Sequence, residues 1–506
     1  MPFRFIAILL PLSLVYGASS PCDLNADGQV NVVDVQGAIN QALGILPCGV
    51  GDLDLNGACN VVDVQRFINA ALGQECQAAR VLYVDSALSS NCAANNYSFA
   101  YRSCTGTDGQ GYSTVPPAIA AMQPGDTVMI REGVYKDPIV IQKSGTPTAH
   151  LQITAVPGEN VVIDTSATPG AIGVWIQAQE FVDISGLIIR NAPNYGLKGS
   201  GSNHVTFRDS EVAFSGNGGV IFENASDIIV SDCRVHHNNQ LAGASMMEAI
   251  SMEMVIRFQV SNCKVFDNLK DGIVAKYGSA HGTIFGNTLY RNENNNIYID
   301  GSSFISVFNN ISHDAASTKA GIGIGVESTY NLAKTSSHDL WIYNNVLYGN
   351  GAGIWFWFES DALTWAKIYN VRIDNNTIAD NTSNGWGGIY IINGTASTFG
   401  KGNTIRNNIF WNNTKLAGAK SIRDDVGVIG VFTITNNVFQ KSEPSATYGS
   451  SSAILSQSPF VNASIHDYHL VNSSLARYIG TPDVNIATDL DGKPRPATPD
   501  AGAFQY

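Results

Sequence analysis

The stretches WIYNNVLYGN (341–350), VRIDNNTIADN (371–381) and TIRNNIFWNN (404–413) carry one pattern. A few residues alternate apolar and polar, an Asn pair follows, and a second short apolar run resumes. The same corner recurs at Gly186, Ser210, Cys233, Cys263, Asn287, Asn310, Asn345, Asn376, Asn408 and Asn437, with gaps of 24, 23, 30, 24, 23, 35, 31, 32 and 29 residues. A motif returning at such a period marks stacked structural repeats. Strand-like alternation with no helical period between corners makes the repeat a coil of strands. The expectation is a mainly β chain, a right-handed parallel β-helix of about ten coils. Equivalent residues of successive coils then stand side by side, about 4.8 Å apart.

Composition narrows the partners. The chain has 506 residues, with 42 acidic and 29 basic side chains and a net charge of −13. That balance argues against nucleic acid and anionic membranes. Residues 1–20 read as a secretory signal: Arg4, the apolar run FIAILLPLSLV and the small-residue exit VYGASS. The run is too short to span a bilayer. The protein is therefore expected to be secreted, extracellular or held at a cell surface, with no membrane span. Eight cysteines suit an oxidising compartment. Cys22, Cys48, Cys59 and Cys76 form one group of open connectivity, and Cys92 and Cys104 a second. Cys233 and Cys263 share one corner position and read equally as a disulfide or as two thiols.

Residues 21–77 form a separate domain containing one motif twice, 29 residues apart: DLNADGQVNVVD (23–34) and DLDLNGACNVVD (52–63). Oxygen-bearing side chains at loop positions 1, 3, 5, 9 and 12, with Gly at 6, are the pattern of a calcium loop. The first loop offers Asp23, Asn25, Asp27, the Gln29 carbonyl, Asn31 and Asp34. The second offers Asp52, Asp54, Asn56, the Ala58 carbonyl, Asn60 and Asp63. An amphipathic helix follows each. Two loop–helix repeats ending in Asp rather than Glu resemble a type I dockerin. The resemblance implies two bound Ca²⁺ ions and a cohesin-type scaffold protein as partner. One departure is the Val-Val pair at positions 10 and 11 of both loops (Val32, Val33, Val61, Val62), where dockerins commonly carry Ser or Thr.

Residues 79–506 form the β-helix domain. VLYVD opens it, and PAIAAM reads as a short helix capping the open end of the solenoid. PGDTVMIREGVY resembles the first coil of pectin-lyase-like β-helix carbohydrate enzymes, and LDGKPRPATPDAGAFQY resembles their closing segment. That resemblance implies the fold and a carbohydrate-active class.

The second strand of successive coils reads GLKGS, GVIFE, AISME, GIVAK, NIYID, GIGVE and GIWFW. Alternate residues face outward. Aligned end to end, the segments give one outward column of Ser200, Glu223, Glu253, Lys276, Asp300, Glu327 and Trp357, and another of Lys198, Ile221, Ser251, Val274, Tyr298, Gly325 and Trp355. Glu248 and Asp271 stand just before their strands. Stacked like charges repel, so a ladder of ionisable residues points to a site. A solvated salt ladder is the bland alternative. Asp300 and Glu327 on adjacent coils would serve as the two carboxyls of a retaining glycosidase. Lys276 would hold the nucleophile ionised. Tyr298, Trp355 and Trp357 would face the sugar, with Glu253, Asp271 and Glu248 as further substrate contacts.

The expected function is a secreted polysaccharide-degrading glycoside hydrolase. The spacing is similar to that of β-helix glycosidases of the xylosidase type. The alternative is a polysaccharide lyase with Lys276 as base and a further Ca²⁺ on Glu253, Asp271 or Glu248. DGIVAK resembles the acid-then-lysine spacing of chondroitinase-B-like and alginate lyases. Those carry Arg on the next coil, where this chain has Asp300. A third alternative is a non-catalytic glycan-binding β-helix. His236 and His237, in a turn, read as solvent-facing, and Lys198 and Glu223 as candidates to extend the cleft. The loops 312–323 and 331–339 are expected to wall the groove.

Overall fold

The computed structural model describes residues 20–53, 58–74, 76, 78–93, 95–241, 248–383, 385–416, 419–440, 449 and 451–506. The signal segment, Asp54, Asn56 and most of the loop after His237 lie outside them. The chain divides into two compact units, residues 1–80 with 124–126, and residues 81–123 with 127–506.

In the smaller unit each Asp–Asn-rich loop leads into a helix, Val32–Ala42 or Val61–Ala71. The same hydrogen bonds start both. Asp34 Oδ2 accepts from Asn31 N at 2.9 Å, and Asp63 Oδ2 from Asn60 N at 2.9 Å. Their other oxygens accept from Leu24 N and Leu53 N, both at 2.8 Å. Each position-12 carboxylate thus ties the second residue of its loop to the helix start. Phe67, Ala38, Leu53 and Ala70 pack between the helices. Disulfides Cys22–Cys76 and Cys48–Cys59 close the open connectivity. Val32, Val33 and Val61 are exposed.

The larger unit is a parallel β-helix. Among the described residues three sheets of 14, 13 and 11 strands run its length, every neighbour pair parallel and, from Thr127 on, one coil apart. The stack is longer than the corner pattern implied, because Thr127–Ile130, Gly133–Tyr135 and Ile139–Ile141 of the opening segment already belong to the three sheets. The capping helix is Val115–Ala121, burying Val115, Ala118 and Ile119. The Cys92–Cys104 disulfide forms as grouped. Inward residues such as Ile273, Ile297, Ile299, Ile322, Ile324, Ile354 and Phe356 fill the interior, removed from water.

The Asn pairs divide the work of the corner. The first Asn takes the left-handed conformation that turns the chain, as in Asn344 (φ 53°), Asn375 (φ 55°) and Asn407 (φ 59°). The second points into the core. Asn376 Nδ2 donates to Ile342 O of the preceding coil at 2.9 Å and to Asn408 Oδ1 of the following one at 3.0 Å. Its Oδ1 accepts the Asn345 N–H at 3.0 Å. The chain of contacts runs from Asn287 through Asn310, Asn345, Asn376 and Asn408 to Asn437. Cys233 and Cys263 are free thiols on this ladder, each donating to a carbonyl two residues back.

A second asparagine ladder stands five residues on. It comprises Asn238, Asn268 and Asn292, then Asn350, Asn381 and Asn413. His236 does not face solvent. It ends the strand Arg234–His236 and stacks on Phe266 at 4.7 Å in an outer aromatic ladder. The loops expected at 312–323 and 331–339 are shorter than read, since Ala320–Val326 and Ser337–Tyr343 are strands.

Asn376→Ala would orphan carbonyls and amides on three coils. An unsatisfied buried group costs about 1–3 kcal/mol. We expect a stability loss of roughly 3 kcal/mol in denaturant unfolding.

Candidate active site

On the 11-stranded sheet the outward column is not exposed. Lys276 is 5 %, Asp300 1 % and Tyr298 6 % exposed. They line a cavity of about 310 Å³ together with Glu248, Asp271, Tyr277, Glu327, Tyr330, Trp357 and Glu359. Seven of the expected site residues therefore meet in one place. Two do not line it. Glu253 lies behind Lys276, and Trp355 packs with Trp386 and Tyr390 in a separate aromatic cluster further along the sheet.

The expected column needs one correction. Asp300 pairs with Gly325 and Tyr298 with Gly323, so Glu327 lies two residues beyond the rung assigned to it. The end-to-end alignment missed that this strand, Ala320–Val326, has seven residues where its neighbour Ile297–Asp300 has four. The two-residue displacement keeps the same face. It sets glycine beside both Asp300 and Tyr298. A Cβ on Gly325 would lie 2.4 Å from the Tyr298 hydroxyl, and one on Gly323 2.7 Å from the Tyr298 ring. The glycines let the Tyr298 ring lie flat across the next coil. Its hydroxyl there faces Glu327 Oε1 at 3.4 Å.

Asp300 and Glu327 remain in contact by another route. The Glu327 N–H donates to Asp300 Oδ1 at 2.7 Å. Burial, and then the Glu327 charge, push the Asp300 carboxyl well above the usual range. Burial, and then the charges of Asp271, Glu248 and Glu359, push Glu327 up to about 7. Two such carboxyls titrate as a pair and keep a proton near neutrality.

Lys270 and Lys276 both line the cavity, and Lys276 is the buried one. Its Nζ lies 3.0 Å from Glu248 and 3.7 Å from Glu253. Burial opposes its charge, but those carboxylates outweigh burial and raise its proton affinity. Asp271 accepts from Asn294 Nδ2 at 3.0 Å and from Asn295 N at 2.9 Å, and burial raises its pKa. Lys198, three coils before Lys276, is paired at 2.9 Å with Glu223, two coils before it.

In the first calcium-type loop, Asp23 accepts from Asp27 N and Gly28 N at 3.0 and 2.8 Å, and Asn25 Oδ1 from Asp27 N at 3.0 Å. The oxygens of positions 1 and 3 thus already converge on the turn. The hard-oxygen donor set fits Ca²⁺. Among the described residues no three His, Cys, Asp or Glu side chains are gathered as a ready ion-holding cluster, in either unit. No described helix is long and apolar enough to cross a membrane.

With this geometry in hand, comparison with known proteins bears on the fold. Residues 100–249 match a family model described as Pel9A-like, right handed beta helix region. Residues 302–490 match one described as disaggregatase related. No curated protein matches the chain. Among solved structures, the pectate lyase Pel9A is similar at TM-score 0.52 and 16% identity, over 84% of this chain and 96% of that one. XylC in complex with xylose is similar at TM-score 0.49 and 10% identity, over 84% and 98%. An alginate lyase from Paenibacillus sp. str. FPU-7 gives TM-score 0.39 and 16% identity, over 55% and 93%. The chain has the pectin-lyase-like β-helix fold. Asp271, Lys276, Tyr298 and Asp300 lie in the interval 250–301 that neither family match covers.

The raised Glu327 carboxyl has a consequence for stability. It holds its proton up to about 7 in the folded chain, against an ordinary value of 4.5. Between those values the folded state binds the extra proton, so stability falls as pH rises through this window. The slope is at most about 1.4 kcal/mol per pH unit for one group. Unfolding midpoints measured from pH 4 to 8 should decline in the parent chain, and Glu327→Gln should flatten the decline.

Proposed function

We propose that the β-helix unit degrades polysaccharide by hydrolysis in the Asp300–Glu327 pocket. The observation that carries this reading is the pair itself. Two buried carboxyls joined by the 2.7 Å Glu327 N–H to Asp300 contact share a cavity with Tyr277, Tyr298, Tyr330 and Trp357. Such a pair divides acid and nucleophile roles.

Glu327 is assigned as acid/base and Asp300 as nucleophile. Burial and the Glu327 charge push Asp300 up; once Glu327 holds the pair's proton that repulsion is gone, and the Glu327 amide and the Lys276 charge stabilise the Asp300 carboxylate. Asp300 attacks the anomeric carbon while Glu327 gives its proton to the departing glycosidic oxygen. This forms a glycosyl ester and frees the leaving chain. Water then attacks the ester, returning its proton to Glu327 and releasing Asp300. Tyr298, Tyr277 and Trp357 offer flat faces for the sugar. The lyase alternative needs Lys276 as a neutral base. The two carboxylates beside Lys276, and its raised proton affinity, speak against that role.

For the smaller unit we propose a dockerin-type role, with one Ca²⁺ in each loop and a cohesin-type partner. The duplicated Asp34 and Asp63 bonding supports it. Three disulfides are compatible with export, and residues 1–20 would direct it.

The test is a panel of plant and algal polysaccharides, read for reducing ends and for near-ultraviolet absorbance together. New reducing ends without absorbance are expected; absorbance would replace this reading with a lyase. Asp300→Asn and Glu327→Gln should each lower turnover by about 10²-fold or more while substrate still binds. Loss of binding alone would favour a glycan-binding protein. In calcium titration of the full chain we expect two ions, Asp34→Ala removing one, with hydrolysis insensitive to chelator.

A further inference from the structure

Glu359 follows the strand Ala352–Phe358, one coil beyond Glu327. Its backbone N–H continues the ladder to Val326 O at 3.0 Å. Its carboxylate takes every donor of the two residues after Glu327. Oε2 accepts from Ser328 N at 2.5 Å, Ser328 Oγ at 2.6 Å and Thr329 N at 2.9 Å. Oε1 accepts from Thr329 Oγ1 at 2.6 Å. Four hydrogen bonds to one charged acceptor are of the strong, charge-assisted kind. They act where a strand ends and the chain turns into the wall of the pocket. Further along that wall, Asn331 Oδ1 holds Thr335 N at 2.9 Å, and the turn rests on Gly301, where a Cβ would meet Asn331 Nδ2 at 2.6 Å.

We infer that Glu359 is a positioning residue: it clamps Ser328 and Thr329 to the next coil and so holds the Glu327 carboxyl over the cavity. This rests on the reading of Glu327 as acid/base.

The clamp also acts through charge. Burial works to protonate Glu359, but the Ser328 and Thr329 donors outweigh it and hold the carboxyl down at about 2. Glu359 is therefore a permanent negative charge beside Glu327, and one of the groups that raise it. The others facing Glu327 are Asp271, Glu248, Asp300 and Lys276, with Tyr298 and Tyr277 as neutral neighbours. Only Glu359 both anchors the segment and lies one rung beyond it. Hydrogen bonding keeps Glu359 ionised, and its charge adds to burial and to the Asp271 and Glu248 charges in holding the proton on Glu327.

Infrared difference titration of the full chain reads the protonated Glu327 carbonyl directly, with Glu327→Gln identifying the band. In the parent chain the midpoint is expected near 7. Glu359→Gln keeps an amide able to accept some of the bonds but removes the charge, so the midpoint should drop by about half a unit or more. The double variant Ser328→Ala/Thr329→Val keeps the charge while loosening the clamp. It should leave the midpoint within about 0.3 units and lower kcat about tenfold on the cleaved polysaccharide. An unmoved midpoint in Glu359→Gln overturns the inference. So does full kcat in the double variant. If Glu327→Gln itself retains turnover, the acid/base assignment fails, and the infrared shift still decides the charge coupling separately.

Discussion

The structure depends on what a buried asparagine requires. At six successive corners of the β-helix, from Asn287 to Asn437, a side-chain amide is enclosed in an apolar interior, where an unpaired donor or acceptor is costly. The only partners available are the backbone of its own coil and the coils on either side. Asn376 meets that requirement by bonding Ile342 O behind it and Asn408 ahead of it. The amide therefore measures the distance and register between coils, and the sheets follow from that repeated measurement. The two free thiols occupy the same ladder because they too can donate to a carbonyl two residues back.

Once register is set, the fate of the outward column is set as well. A charged side chain facing outward from a solenoid ordinarily meets water. Here the turn after Val326 lies against Gly278 and Gly301 of the two preceding coils and gives Thr329 and Tyr330 to the pocket wall, and Lys276, Asp300 and Tyr298 end up buried without pointing inward. Burial makes the carboxyls resist ionisation; it opposes the Lys276 charge as well, but the carboxylates of Glu248 and Glu253 outweigh it and keep the lysine protonated. The electrostatic character of the pocket thus arises from the walls, and the walls arise from coils that run longer than their neighbours.

The stretch Gly323 to Glu359 shows how closely these layers interlock. Two glycines remove side chains so that a tyrosine can lie across them, and the strand that carries them delivers Glu327 past the end of the preceding strand. A carboxylate on the next coil then gathers the amides and hydroxyls of the turn. No single element of this arrangement would hold Glu327 by itself.

The sequence by itself determined the periodic parts. Repeats announce strands, corners and the two loop–helix units of the smaller domain because their spacing is local and their residues have narrow conformational uses. The meeting of Asp300, Lys276, Tyr298 and Trp357 was legible for the same reason, since a column survives in any correct stack. The second asparagine ladder also stands in the sequence, in the GN, DN and NN doublets at 349–350, 380–381 and 412–413, but such doublets look the same in an exposed turn. The tertiary structure alone decided the rest. It set Gly325 rather than Glu327 opposite Asp300, sent Trp355 into another cluster, and turned His236 into a stacked ring. Those outcomes depend on unequal strand lengths and on which turn covers which strand. Both are settled by packing between coils, which local sequence does not encode.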